Sequence, residues 1–151
     1  MMKNILIFIL FNTTGAIILH GQNAELDDKQ KQNIYFLIDQ YSQARERRDT
    51  VLLKSILTGD VDQLVSTGEW RSGIASSVKG MLTSSANSPG TRTLNIEKIR
   101  LINLHSAIVD CKYEIQNIDG VPRKMWSTFI VVSYQGTWKI SAIRNMLPTG
   151  Q

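Results

Sequence analysis

The sequence of 151 residues contains one cysteine, Cys111, two histidines and three prolines. A single thiol cannot close an intramolecular disulfide, which excludes a small cystine-stapled scaffold. Zinc and iron sites gather several His, Cys or carboxylate ligands at compatible spacing. His20 and His105 have no such company, so no resident metal is expected. The same scarcity removes a Ser-His-Asp arrangement, because His105 falls in a predicted turn with no serine elbow nearby. There is no glycine-rich dinucleotide fingerprint and no flavin motif, and no cofactor is expected. A strong charge of one sign is also missing: 17 Lys+Arg stand against 13 Asp+Glu, a mild and dispersed excess. Without an aromatic-basic stripe, that excess does not suggest nucleic-acid binding. What remains, 42% apolar and 20% charged residues, is the profile of one globular domain.

The most apolar stretch opens the chain. Lys3 precedes the unbroken run Ile5 to Phe11, and Gly15 to Leu19 continue it after Asn12-Thr13-Thr14. This is short of the roughly 20 residues that cross a bilayer as a helix. A charged start, a short apolar middle and a small residue before a polar segment read as a secretory signal peptide. The expected signal is residues 1–21, with Gln22 as the mature start and 22–151 as the domain. No cysteine ends the apolar run, so lipid anchoring is not expected. The expectation is an exported protein, periplasmic or secreted, without a stable membrane span after cleavage.

Periodicity then separates helices from strands. Asp27 with Gln30 resembles a capping box, and Ile34, Leu37, Ile38, Tyr41 and Ala44 follow at helical spacing, predicting a helix over 27–48. Arg45, Arg47 and Arg48 cluster at its end, where they favour the helix dipole. Asp49 can cap a short second helix that Gly59 ends. Val61 to Ser66 has strand character, a third helix follows Gly73, and Ser84 to Gly90 reads as a loop. From Thr91 the period is two. Leu94 and Ile96 have opposite parity to Ile99 and Leu101, so a β-bulge is expected near Glu97-Lys98. Asp119-Gly120 and Gln135-Gly136 mark the last two hairpin turns.

Helices first and an antiparallel meander afterwards predict an α+β fold with three helices packed on one sheet face. Trp126, Thr128, Ile130, Val132 and Tyr134 share one face of a strand whose other face carries Met125, Phe129 and Val131. A strand apolar on both sides needs cover on both. The helices cover one, so the outer face predicts a two-fold homodimer interface.

Three stretches resemble a known family. They are IYFLIDQYSQARERRDTVLLKSIL, STGEWRSGIASSVKGML and MWSTFIVVSYQGTWKISAIRNMLP, the last with Gly-x-Trp-x-Ile and Arg-Asn-Met-x-Pro. Together they are similar to the nuclear transport factor 2-like superfamily, and within it to small SnoaL-like proteins of the SgcJ/EcaC type, over about residues 26–148. The resemblance implies a cystatin-like cone: three N-terminal helices on a curved antiparallel sheet, enclosing a pocket. Such folds serve isomerases, dehydratases, cyclases, ligand-binding proteins and association domains, so the fold locates a pocket without naming its chemistry.

Within that frame, Asp62 is the candidate general base of an isomerisation, dehydration or cyclisation. Asp60, Glu69, Asp110 and Glu114 are weaker candidates. Arg144 shares the parity of Trp138, Ile140 and Ala142, so without a bulge it points inward. There it must pair with Glu69 or Asp62, or bind an anionic ligand. Asn145 then faces outward unless a bulge turns it in. Tyr35, Tyr41, Trp70, Tyr113, Trp126 and Thr128 complete the candidate ligand-binding set, while Cys111 reads as a packed thiol. The leading expectation is a pocket that binds a small, largely apolar molecule with one polar or anionic group. A cofactor-independent isomerase, dehydratase or cyclase is the second reading, and a non-catalytic association domain the third. A pocket under about 300 Å³ would favour the third.

Overall fold

A computed structural model describes residues 26–118 and 120–148. The expected signal segment 1–21, its junction before Gln22, and Asp119 of the expected Asp119-Gly120 turn lie outside the described residues. The elements are α1 (Asp28–Arg47), α2 (Thr50–Ile56), β1 (Leu57–Leu64), β2 (Trp70–Ser72), α3 (Gly73–Asn87), β3 (Gly90–Asn103), β4 (Ser106–Asn117), β5 (Pro122–Tyr134) and β6 (Thr137–Met146).

Helix α1 begins at the capping box: the Asp27 carboxylate accepts from the Gln30 N–H, and the Gln30 amide oxygen accepts from the Asp27 N–H. Its apolar stripe is buried from Ile34 to Ala44, and Arg48 closes it in the left-handed conformation at φ 55°. Asp49 caps α2 by accepting from the Val51 and Leu52 N–H groups. Two boundaries differ from the sequence reading. Helix α3 continues through Ser84 to Asn87, where composition suggested a loop, because Ser85 is buried and Ser84 bonds back to the Met81 carbonyl. Strand β1 starts at Leu57 and runs through Gly59, which does not terminate α2.

The sheet has six strands in the order β2-β1-β6-β5-β4-β3. It is curved, unclosed and mixed rather than wholly antiparallel, because β1 runs parallel to β6. The bulge expected near Glu97-Lys98 is present, and it keeps Ile96 and Ile99 both against the core. Another bulge falls in β6 at Ser141, where the register shifts between Val131↔Ile140 and Ile130↔Ala142. The inner face, carrying Val109, Cys111, Phe129, Val131 and Ile140, packs against Ile34, Leu37, Ile38 and Leu53 in one core. Tyr41 meets Phe129 edge-on at 5.1 Å between ring centroids. Burial pushes the Cys111 thiol up to about 12, with neighbouring Asp110 adding to the shift, as suits a packed thiol.

Among the described residues, no helix is long and apolar enough to cross a membrane.

Candidate functional site

The core does not fill the cone to its end. Between the C-terminal turns of α1 and α3 and the inner sheet face lies a partly open cavity of about 60 Å³. Arg45, Arg71, Arg92 and Arg123 line it, with Gln63, Ser66, Ser84, Ser88, Tyr113 and Asn145 as further polar groups. Val65, Ile115 and Met125 supply the apolar wall. The lining contains neither a carboxylate nor a histidine.

Each arginine arrives by continuing a buried pattern. Arg45 is four residues beyond Tyr41 on the inner stripe of α1. Arg92 has the parity of Leu94 and Ile96 in β3, and Arg123 that of Met125, Ser127 and Phe129 in β5. Arg71, in the centre of β2, stands opposite Gln63 of β1 and lies over Gly80 of α3. A Cβ on Gly80 would collide with the Arg71 guanidinium, so the missing side chain makes the room.

Three of these cations are more than nine-tenths buried: Arg45 is 7%, Arg71 8% and Arg92 8% exposed. Arg71 is paired, its Nε donating to Glu69 Oε1 at 2.9 Å. That bond and its charge hold the exposed Glu69 carboxyl below the usual carboxylate range. No carboxylate among the described residues pairs with the other three guanidinium groups. Arg45 donates to the Tyr41 hydroxyl at 3.3 Å and to Ser84 Oγ at 2.9 Å. Arg92 donates to the carbonyls of Gly90 at 2.9 Å and Ser88 at 2.6 Å. Arg123 donates to Ser66 Oγ at 2.8 Å. The Nε atoms of Arg45 and Arg92 and the Tyr113 hydroxyl are buried and make no hydrogen bond. Burial opposes the charge on Arg45 and the Tyr41 and Tyr113 side chains favour it, with the balance upward; like any arginine it is cationic at neutral pH.

Part of this positive charge has a structural use. Helix α3 has no basic residue in its last turn, and Arg48 and Arg92 donate to its Ser85 and Ser88 carbonyls instead. The Arg45-Arg47-Arg48 cluster therefore does more than favour the dipole of its own helix. Arg45 turns into the cavity and Arg48 caps a neighbour.

Of the residues singled out from sequence, Tyr113 and Asn145 line the cavity, and Tyr41 adjoins it through Arg45. The condition under which Arg144 points inward, a strand β6 without a bulge, does not hold. The extra residue at Ser141 reverses parity, so Arg144 pairs across the sheet with Thr128 on the outer face, and Asn145 turns in to accept from Ser127 Oγ at 2.8 Å. Arg144 meets Asp62 there, with its Nη1 donating at 2.8 Å and its Nη2 at 3.2 Å. Its guanidinium also lies 4.8 Å from the Trp70 ring centroid. Asp62 thus faces away from the cavity, engaged by a cation. Trp70 is 56% exposed, Thr128 donates to Asp110 at 2.6 Å, and Trp126 lies under Lys112, all on the outer side. Tyr35 is exposed on α1 and borders a surface groove with Leu94.

Sequence reasoning missed Arg45, Arg71, Arg92 and Arg123. The signal was present for three of them, since each extends an apolar stripe at the correct period, but a charge at the end of a stripe reads as its solvent boundary. For Arg71 no local signal exists.

No family model and no curated protein matches this sequence. Solved structures do. A domain of unknown function with a cystatin-like fold from Nostoc punctiforme is similar at TM-score 0.73 and 12% identity, over 82% of this chain and 80% of that one. A protein from Streptomyces avermitilis, described as a candidate dehydratase of the nuclear transport factor 2-like family, has TM-score 0.68 and 14% identity, covering 82% and 100%. A third, from Xanthomonas campestris, is named for a calcium/calmodulin-dependent protein kinase II association domain, with TM-score 0.67 and 14% identity over 83% and 91%.

Proposed function

We propose, for a chain that has the nuclear transport factor 2-like, cystatin-like fold, that the cone is a pocket for the anionic group of a small molecule, held without turnover. The carrying observation is that Arg45, Arg71, Arg92 and Arg123 converge on one cavity with no carboxylate in its lining. Burying a cation costs several kcal/mol unless a partner compensates, and apolar residues of similar volume are often no less stable. A bound anion would supply the missing compensation and accept from the free Nε donors. With no carboxylate or histidine in the lining, the cavity holds no ordinary general base for an isomerase or dehydratase. At about 60 Å³ it admits the charged end of a ligand and leaves the apolar body at or beyond the opening.

The small volume favours a second reading, an association domain with a residual pocket, since whole-ligand sites usually exceed about 300 Å³. Isothermal titration calorimetry with acetate, sulfate, phosphate and a neutral amide separates the two. Anion binding that Arg45→Met abolishes is expected. Equal indifference to all four probes would favour association.

The same reading takes the chain as a SnoaL-like protein exported by its first 21 residues. It is dimeric through the outer face, where Ile108, Ile130 and Val132 are half-buried and Trp126 is exposed. Sedimentation as a monomer at micromolar concentration would refute the dimer.

A further inference from the structure

We infer that the anionic group this cavity selects is a phosphoryl dianion, as free phosphate or the phosphate of a monoester, rather than a carboxylate or a sulfate ester. The inference rests on the anion-pocket reading above and deepens it through charge, direction and size.

The charge is the first consideration. Four guanidinium groups line the cavity, and one of them, Arg71, is neutralised by Glu69. The C-terminal ends of α1, whose last turn carries Arg45, and of α3, which meets Arg92, each contribute the equivalent of about half a negative charge. An excess of roughly two positive charges remains. Glu46 is exposed and accepts from the Arg92 backbone N–H at 3.3 Å. Counted at full strength it would leave an excess of about one, but an exposed carboxylate is screened by solvent, so the excess lies between about one and about two. A dianion compensates that excess more fully than a monoanion.

Direction is the second. The arginines come from α1, β2, β3 and β5, so donors approach from separate sides of the cavity rather than along one plane. A carboxylate offers two oxygens in one plane, which suits one bidentate fork. A phosphoryl group presents three terminal oxygens around a tetrahedral centre and can accept from several guanidinium groups at once. Ser88, at the C-terminal cap of α3, also lines the cavity. Size is the third: about 60 Å³ accommodates a few non-hydrogen atoms, and the partial opening lets an ester substituent leave toward solvent.

The distinguishing property is the proton. A phosphate monoester becomes a dianion with a second pKa of about 6, whereas a sulfate ester stays a monoanion of similar shape throughout. The titratable groups lining the cavity are Arg45 on α1, Arg71 on β2, Arg92 on β3, Tyr113 on β4 and Arg123 on β5, with Glu46 and Glu69 outside the lining but bonded to Arg92 and Arg71. Helix α3 and strand β6 face it with serines and Asn145, which do not titrate. Arginine remains cationic across pH 5–8, and the methyl sulfate control registers any contribution from the two glutamates.

The test is calorimetric titration of the full chain with methyl phosphate, inorganic phosphate, methyl sulfate and acetate from pH 5 to pH 8. Methyl phosphate association should strengthen about tenfold from pH 5 to pH 7 as the dianion fraction rises, then level off. Methyl sulfate should bind more weakly with a flat profile, and Arg45→Met should remove phosphate binding while the far-ultraviolet circular dichroism is unchanged. A higher affinity for methyl phosphate than for inorganic phosphate identifies an ester as the ligand, and the reverse identifies the free ion. If methyl sulfate or acetate binds as tightly as methyl phosphate without a pH rise, the phosphoryl inference is overturned and the anion pocket stands. If none of the four binds at ten millimolar, both fall.

Discussion

Replacing Arg45 by methionine separates a residue kept for a ligand from one kept for the fold. The guanidinium is 7% exposed and lacks a carboxylate partner among the described residues. Its two hydrogen bonds, to Tyr41 and Ser84, are of the charged kind, each contributing about 1.5–3 kcal/mol. Against them stand the several kcal/mol of desolvating the charge and the roughly 1–3 kcal/mol of leaving Nε without a partner. Methionine has similar length, removes both costs and buries its own apolar surface. It leaves the Tyr41 hydroxyl without its donor, a loss of about 1 kcal/mol, while Ser84 keeps its bond to the Met81 carbonyl. These contributions nearly cancel, so urea unfolding should move by no more than about 1 kcal/mol in either direction at constant m-value. In phosphate at a hundred times its Kd, the parent chain should gain about 2.7 kcal/mol and Arg45→Met none. A loss of more than about 3 kcal/mol without phosphate, at an unchanged m-value, would show that Arg45 is a structural cation and refute the reasoning.

Gly80→Ala should raise helix propensity in α3 by up to about 1 kcal/mol, yet its Cβ must displace Arg71. Anion affinity is expected to fall while thermal stability holds, and unaltered affinity would show that Arg71 is dispensable. Breaking the outer pair with Asp62→Asn should cost about 1 kcal/mol or less, because both side chains are about a third exposed, and it should leave anion binding unchanged. Any reaction for which Asp62 is the base would instead be abolished. For Cys111, the thiol pushed up to about 12 should resist alkylation at pH 8 in the folded chain and react promptly in urea. Its folded pKa is raised, so the stabilising difference is present below the ordinary value of 9 and is lost as pH rises from 9 toward 12. Unfolding monitored from pH 8 to pH 11 should show stability declining, and a rise would contradict the assignment.

Local physics made much of the fold legible. The Asp27-Gln30 box and the Asp49 cap define their helix starts without tertiary help, because each satisfies backbone donors within three residues. The bulge near Glu97 was readable because the apolar positions change parity across it, and parity is what a buried face enforces. The bulge at Ser141 left no such mark. Trp138, Ile140, Ala142 and Ile143 are apolar on either side of it, so a single period explained the strand and placed Arg144 inward and Asn145 outward. Only the pairing of β6 with β5 decided the reverse. The extension of α3 through Ser84–Asn87 was also tertiary, since serine favours loops until burial and a back-bonded hydroxyl hold it in a helix.

The sequence by itself determined the helices, most strands, the hairpin at Gln135-Gly136 and the shortage of cysteine and histidine that confines the chemistry, because each rests on neighbours a few residues apart or on composition alone. Tertiary structure alone decided that Arg45, Arg71, Arg92 and Arg123, spread from one end of the domain to the other, meet at one cavity while Asp62 and Arg144 neutralise each other outside. The physical reason is that a net charge counts side chains without placing them, whereas the energy of a buried charge depends on which groups stand within a few ångströms of it.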